Sequence, residues 1–261
     1  MRQTDVILLW ILFTYLLVPY ADVEGKSVPP NQWNVLLHTK PGQYLKIDCE
    51  DLIEYDINLF PNVSLGDVTD FRIRYCPLPG DSFKPTMDLF NISRFEDMTL
   101  DGVNINNSTG KKVTKQLFDG LSELKTLYFS SLVPINLESD FLENLPNLRQ
   151  LQLQNTIDKI YPNMFNYTPK LEILHLSQNL ISELPNRVFQ NLPDLRMLHL
   201  WNNQLTSLEN ETFAGLGQLT SLELSNNQIV HLDDDTFSDL VHLVNISLRR
   251  NKLKKYWCLY F

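Results

Sequence analysis

The 261-residue sequence predicts an α/β solenoid: a curved stack of short repeats with a parallel β-sheet on its concave face and a cap at its N-terminal end. Three observations predict it. Apolar residues follow the pattern L-x-x-L-x-L-x-x-N-x-L from Leu124, Leu148, Leu171, Leu195, Leu219 and Leu243, in steps of 24, 23, 24, 24 and 24 residues. A second residue type keeps the same step, with Phe141, Phe165, Phe189, Phe213 and Phe237 each 24 apart. Upstream, YLKIDC at 44–49 alternates apolar and polar residues as a half-buried strand does.

The pattern is the leucine-rich-repeat signature, whose period is roughly 20–29 residues. One repeat is a short strand and a return loop. It cannot bury its own apolar face, so repeats stack into a continuous core. Leucines at positions 1, 4, 6 and 11 point inward, and the phenylalanine packs the convex side. Asn179, Asn203, Asn227 and Asn251 hold position 9, where a side-chain amide can bond backbone groups left unpaired by the tight turn. The first two regular repeats place Leu132 and Thr156 there, and the second is one residue short, so an irregular ladder is expected at that point.

Further upstream the pattern decays but persists. Val68, Phe71, Ile73 and Cys76 fit positions 1, 4, 6 and 9, as do Phe95, Met98, Leu100 and Val103. The strand at 44–49 is then expected to cap the open end, where core would otherwise meet water. A Cys49–Cys76 bridge would staple this cap to the first repeat; the alternative is two unpaired buried cysteines. Cys258 makes the cysteine count odd. The organisation is therefore a signal peptide over 1–25, a cap region over 26–67, degenerate repeats over 68–123 and regular repeats over 124–261, the last one truncated.

The signal peptide is read from Arg2 followed by an apolar run from Val6 to Val18. That run is shorter than the ~20 residues a membrane span needs. Cleavage at Gly25 is favoured over Ala21 because of Pro19; an uncleaved anchor is the alternative. Sequons begin at Asn62, Asn91, Asn106, Asn107, Asn166, Asn210 and Asn245, with Asn106 and Asn107 overlapping and Pro169 weakening Asn166. Together they predict an extracellular glycoprotein. The formal net charge of −9 argues against a nucleic-acid partner, whose binders cluster Lys and Arg. The last repeat, NKLKKYWCLYF, is expected either to expose apolar core or to be covered by something else.

In such a solenoid positions 3, 5, 7 and 8 face the concave side. Position 5 reads Tyr128, Gln152, His175, His199, Glu223 and Ser247 down the stack. Trp201, at position 7, neighbours Met197 and His199 on its own strand and Ile173 and His175 on the strand before. This apolar and aromatic patch on a polar face is expected to contact a protein partner; the plainer reading is that Trp201 covers its own repeat. Zinc held by His175, His199 and Glu223 is disfavoured, because the outer two strands lie about 9–10 Å apart. The histidine pair suits a pH-sensitive interface better, though two solvated ring faces are the plainer reading and are favoured over both. No nucleophile elbow, phosphate loop or zinc-protease motif is present, so neither catalysis nor a cofactor is expected. Asp233–Asp235 read as a solvated charge run on a return loop.

The stretches KPGQYLKIDCEDL (40–52), VTDFRIRYCPLPG (68–80) and FDGLSELKTLYF (118–129) resemble the N-terminal ectodomain of insect-type Toll receptors, as does LHLWNNQL (198–205). The resemblance covers roughly residues 40–255, and its cap stretch is more specific than its repeats. It implies a cell-surface receptor that binds a Spätzle-like cystine-knot cytokine through its concave face, dimerises and signals through a cytoplasmic TIR domain. The chain departs from the family in having fewer cysteines before the first repeats, and it carries neither a span nor a TIR domain. It is thus expected to be a fragment, a truncated isoform or a soluble decoy. The competing expectation is a secreted recognition protein that does not signal.

Overall fold

Two antiparallel strands begin the fold, β1 (Val35–Lys40) and β2 (Tyr44–Cys49), paired from Val35 opposite Cys49 to Lys40 opposite Tyr44. The computed structural model describes residues 35–40, 44–49, 68–79, 81–103, 112–133 and 135–253. The signal-peptide reading, the sequons at Asn62, Asn106 and Asn107, and Cys258 lie outside these residues.

From β2 onward every neighbour in the main sheet is parallel. β3 (Asp70–Arg74), β4 (Asp97–Val103), β5 (Thr126–Ser131), β6 (Gln150–Gln154), β7 (Ile173–His175) and β8 (Met197–His199) follow in order. Two short strands on the return side, β9 (Ser207–Leu208) and β11 (His231–Leu232), pair with each other. β10 (Ser221–Glu223) and β12 (Asn245–Ser247) complete a ten-stranded sheet. The return segments are mostly turns. Described helix is limited to one short α-helix, α1 (Lys84–Leu89), started by Pro85 in its first turn and followed by Asn91 at φ 52°, and a 3-10 turn at Lys115–Phe118. This is a leucine-rich-repeat solenoid with little helix.

The core follows the repeat arithmetic. Leu124, Leu127 and Phe129 are fully buried, and so are Leu195, Leu198, Leu200 and Leu205 in a later repeat. On the convex side Phe165, Phe189, Phe213 and Phe237 form a continuous stack, with centroids 5.7, 6.4 and 5.9 Å apart. Phe90 and Phe118, which the 24-residue step does not reach, are also fully buried.

The asparagine ladder closes one repeat onto the next. Asn203 Nδ2 donates to the carbonyls of Leu176 and Leu200 at 2.9 and 3.0 Å, and its Oδ1 accepts from the Ile181 N–H at 3.1 Å. Asn179, Asn227 and Asn251 repeat the arrangement. In the short second repeat Thr156 takes over, its Oγ1 donating to the carbonyls of Phe129 and Gln154 at 3.0 and 2.7 Å.

The first regular repeat corrects the expectation. Position 9 there is filled by Ser131, whose Oγ donates to Val103 O at 3.0 Å, and not by Leu132, which is 63% exposed. The cause is a register shift between Leu100 and Val103, where β4 holds two residues against one of β5. The irregularity thus sits between β4 and β5, while β5 and β6 pair without a shift.

Position 8 has a role that periodicity does not reveal. Gln178, Asn202, Asn226 and Arg250 all have φ of 57–58°, the left-handed region. That bend lets the N–H of Gln178, Asn202 and Asn226 donate to the carbonyls of Trp201, Ser225 and Arg249 in the following repeat. Asparagine tolerates this conformation better than most side chains, which explains its frequency at this position.

Cys49 and Cys76 form a disulfide, with Cα atoms 4.9 Å apart. β2 pairs in parallel with β3, so the bond joins the end of the cap strand to the first repeat.

Candidate functional site

The strand register turns the repeat columns into one surface. Position 5 runs unbroken through Lys46, Arg72, Thr99, Tyr128, Gln152, His175, His199, Glu223 and Ser247. Position 3 runs through Asp70, Asp97, Thr126, Gln150, Ile173, Met197, Ser221 and Asn245. Neighbouring strands are ~4.8 Å apart, so side chains on one column touch or nearly touch.

Four chemistries follow one another along this face. The N-terminal end is charged: Lys46 pairs with Asp48 at 2.6 Å, Arg72 with Asp70, and Arg74 with Asp101 at 3.3 Å. The Arg74 guanidinium lies 5.2 Å from the centroid of the exposed Tyr75 ring. A neutral amide stretch comes next. Tyr128 Oη donates to Gln154 Oε1 at 3.2 Å, Gln154 Nε2 donates to Gln178, and Gln152 lies alongside.

The third stretch holds the apolar and aromatic residues. Ile173 and His175 are on β7, Met197 and His199 on β8, and Trp201 two residues beyond. Met197 is 40% exposed, and Ile173 and Trp201 are half-buried. His175 and His199 meet edge to face with centroids 4.3 Å apart. Both imidazoles are held below the ordinary histidine pKa. Burial is the main cause for each; His199 adds to it for His175, and Glu223 works against it for His199. Ser177, one repeat before Trp201 at position 7, is buried, and its Oγ has no hydrogen-bond partner among the described residues.

The fourth stretch, on β10 and β12, is small and polar: Ser221, Glu223, Ser225, Asn245 and Ser247. Among the described residues no group of three or more His, Cys, Asp or Glu side chains is placed to hold a metal ion. No described helix is long and apolar enough to cross a membrane.

The structure brings Tyr128, Gln152, Ile173, His175, Met197, His199, Trp201 and Glu223 onto one face. The sequence reading stopped at Tyr128 and missed the charged end formed by Lys46, Asp70, Arg72, Arg74 and Asp101. Extending the same columns through the degenerate repeats would have found it.

Residues 146–205 and 195–253 match the leucine rich repeat family. No curated protein matches the chain. Among solved structures, the glycosylated form of the Toll–Spätzle complex, of Drosophila development and innate immunity, matches with a TM-score of 0.75 and 26% identity over 84% of this chain. The chain carries the leucine-rich-repeat fold of a Toll ectodomain. A second structure of the Toll–Spätzle complex matches at 24% identity and a TM-score of 0.67 over 84% of this chain. The TLR13–ssRNA13 complex matches at 20% identity and 0.62 over 73%, a likeness of fold alone. The chain spans 29%, 32% and 26% of the length of those three chains.

Proposed function

We propose that the chain is an extracellular ligand-binding module and that its concave face takes a Spätzle-like cystine-knot cytokine. The observation that carries this reading is the patch of Ile173, Met197 and Trp201 around the His175–His199 pair. It is the one apolar stretch among the described residues of a face that is otherwise charged, amide-rich or serine-rich. Aromatic and methionine side chains set in a polar rim are what protein interfaces use as anchors. The likeness to a structure solved as a Toll–Spätzle complex supports the choice of ligand class.

Secretion and glycosylation belong to the same proposal. The acceptors Asn91, Asn166 and Asn210 are exposed and lie on return segments off the main sheet. Signalling would need a membrane span and a cytoplasmic domain in addition to these residues, whereas ligand capture requires only the described face.

The test is a titration of the secreted, monodisperse chain against a Spätzle-type dimer, with Trp201→Ala run beside it. Tight binding that Trp201→Ala weakens by about 2 kcal/mol, roughly thirty-fold, supports the reading. A folded sample that does not bind the dimer favours instead a secreted recognition protein for another partner.

A further inference from the structure

One glycosylation signal, Asn245-Ile246-Ser247, lies on the concave sheet itself, as the whole of β12. Asn245 holds position 3. Its register partner is Ser221, whose own partner on the next strand is Met197. The residue is exposed. Its backbone N–H donates to Thr220 O at 3.0 Å, while its carboxamide has no hydrogen-bond partner among the described residues. Asn166 and Asn210 differ in this respect. The Asn166 amide bonds Asn191 at 2.8 Å, and Asn210 Oδ1 accepts from the Asp235 N–H at 3.2 Å.

The surroundings of Asn245 suit a bulky substituent. Ser221, in register with it on β10, and Ser247, two residues along β12, are small and half-buried and form a shallow floor between Asn245 and Met197, with Glu223 on the diagonal. Ser221 lies one strand spacing away, ~4.8 Å, and Met197 two, about 10 Å.

We propose that Asn245 carries an N-linked glycan that covers the concave side of β10 and β12 and leaves β7 and β8 open. In the attachment step Asn245 Nδ2 attacks the anomeric carbon of a lipid-linked oligosaccharide diphosphate. The Nδ2–C1 bond forms, the C1–O bond to the diphosphate breaks, and the lipid diphosphate leaves while the displaced Nδ2 proton passes to solvent. The sugar is hydrophilic and bulky, so it excludes a protein from the serine floor while staying solvated. Its consequence for ligand, which rests on the reading above, is that the footprint ends at β8.

The experiment uses the full chain secreted from insect cells, as wild type, Asn245→Gln and Ser247→Ala. Release with peptide N-glycosidase in heavy-oxygen water marks each occupied asparagine as a heavy aspartate in a peptide map. Carbodiimide labelling of Glu223 and diethylpyrocarbonate labelling of His175 then report the cover. The expected result is an occupied Asn245, Glu223 labelling about five-fold faster in both variants than in wild type, and an unchanged His175 rate. Enzymatic deglycosylation of folded wild type gives the same comparison without a mutation. An unoccupied Asn245, an unchanged Glu223 rate, or shielding that extends to His175 overturns the proposal. A dimer titration on the same samples separates the two readings, since a shielded Glu223 without dimer binding overturns the ligand reading alone.

Discussion

Asn203 satisfies three buried backbone groups with one side chain, the carbonyls of Leu176 and Leu200 and the N–H of Ile181. Alanine would leave the Ile181 N–H without its partner, while Leu176 O still accepts from Asn179 and Leu200 O from Asn227, and one such buried group costs about 1–3 kcal/mol. Asn203→Ala is therefore expected to lower the unfolding free energy by about 1–3 kcal/mol in urea titration; no measurable change would show that water replaces the amide freely. Ser177 is the opposite case, a buried hydroxyl with no partner among the described residues. Removing it in Ser177→Ala is expected to leave stability unchanged or raise it by up to about 1 kcal/mol. These two residues also mark what the sequence made legible at this scale. The asparagine role follows from residue type and tight-turn chemistry. The hydroxyl substitute Ser131 does not, because a counted position loses its meaning where β4 accommodates an extra residue, whereas Thr156 stands at position 9 by count.

On β7 and β8 the paired histidines make the centre of the face sensitive to acid. Glu223 faces His199 from β10, and the uncharged Gln152 faces His175 from β6. Both imidazoles titrate below their unfolded value, chiefly through burial. As the pH falls through the unfolded histidine range, ~6.5, the unfolded chain takes up protons that the folded chain refuses, so stability falls. It is full above that range and reaches its floor only below the folded pKa values. Wild type should thus lose more Tm than His175→Gln/His199→Gln on moving from about pH 7.5 to about pH 5.5. Equal losses in the two proteins would place the acid sensitivity elsewhere. At this scale the strands were legible because inward leucines and outward polar residues alternate with period two. The charged N-terminal end is less legible, because Val68, Phe71 and Ile73 stand where the regular repeats carry leucine and Cys76 where they carry asparagine.

The core of a solenoid is continuous but is built from contacts between neighbouring repeats. Each repeat packs on its neighbours, so stability is a sum of local terms passed along the stack. Here the convex phenylalanine stack, the asparagine ladder and the sheet register all link adjacent repeats, at separations of 22 to 29 residues. The Cys49–Cys76 bond belongs to the same class, with a sequence separation of 27, but it acts at one end only. Closing a loop of that size removes chain entropy equivalent to about 3.5 kcal/mol in the unfolded state. In a globular core that loss would weaken the whole domain. In a one-dimensional stack it should stay where the cross-link is. Cys49→Ser/Cys76→Ser is therefore expected to lose amide-exchange protection across β1, β2 and β3 and to keep it across β6, β7, β8 and β10. Exchange monitored by mass spectrometry on the full chain decides the matter. A uniform fall in protection through every strand would show that the stack unfolds as one cooperative unit. The cap would then stabilise the ligand face directly and would not merely close its end.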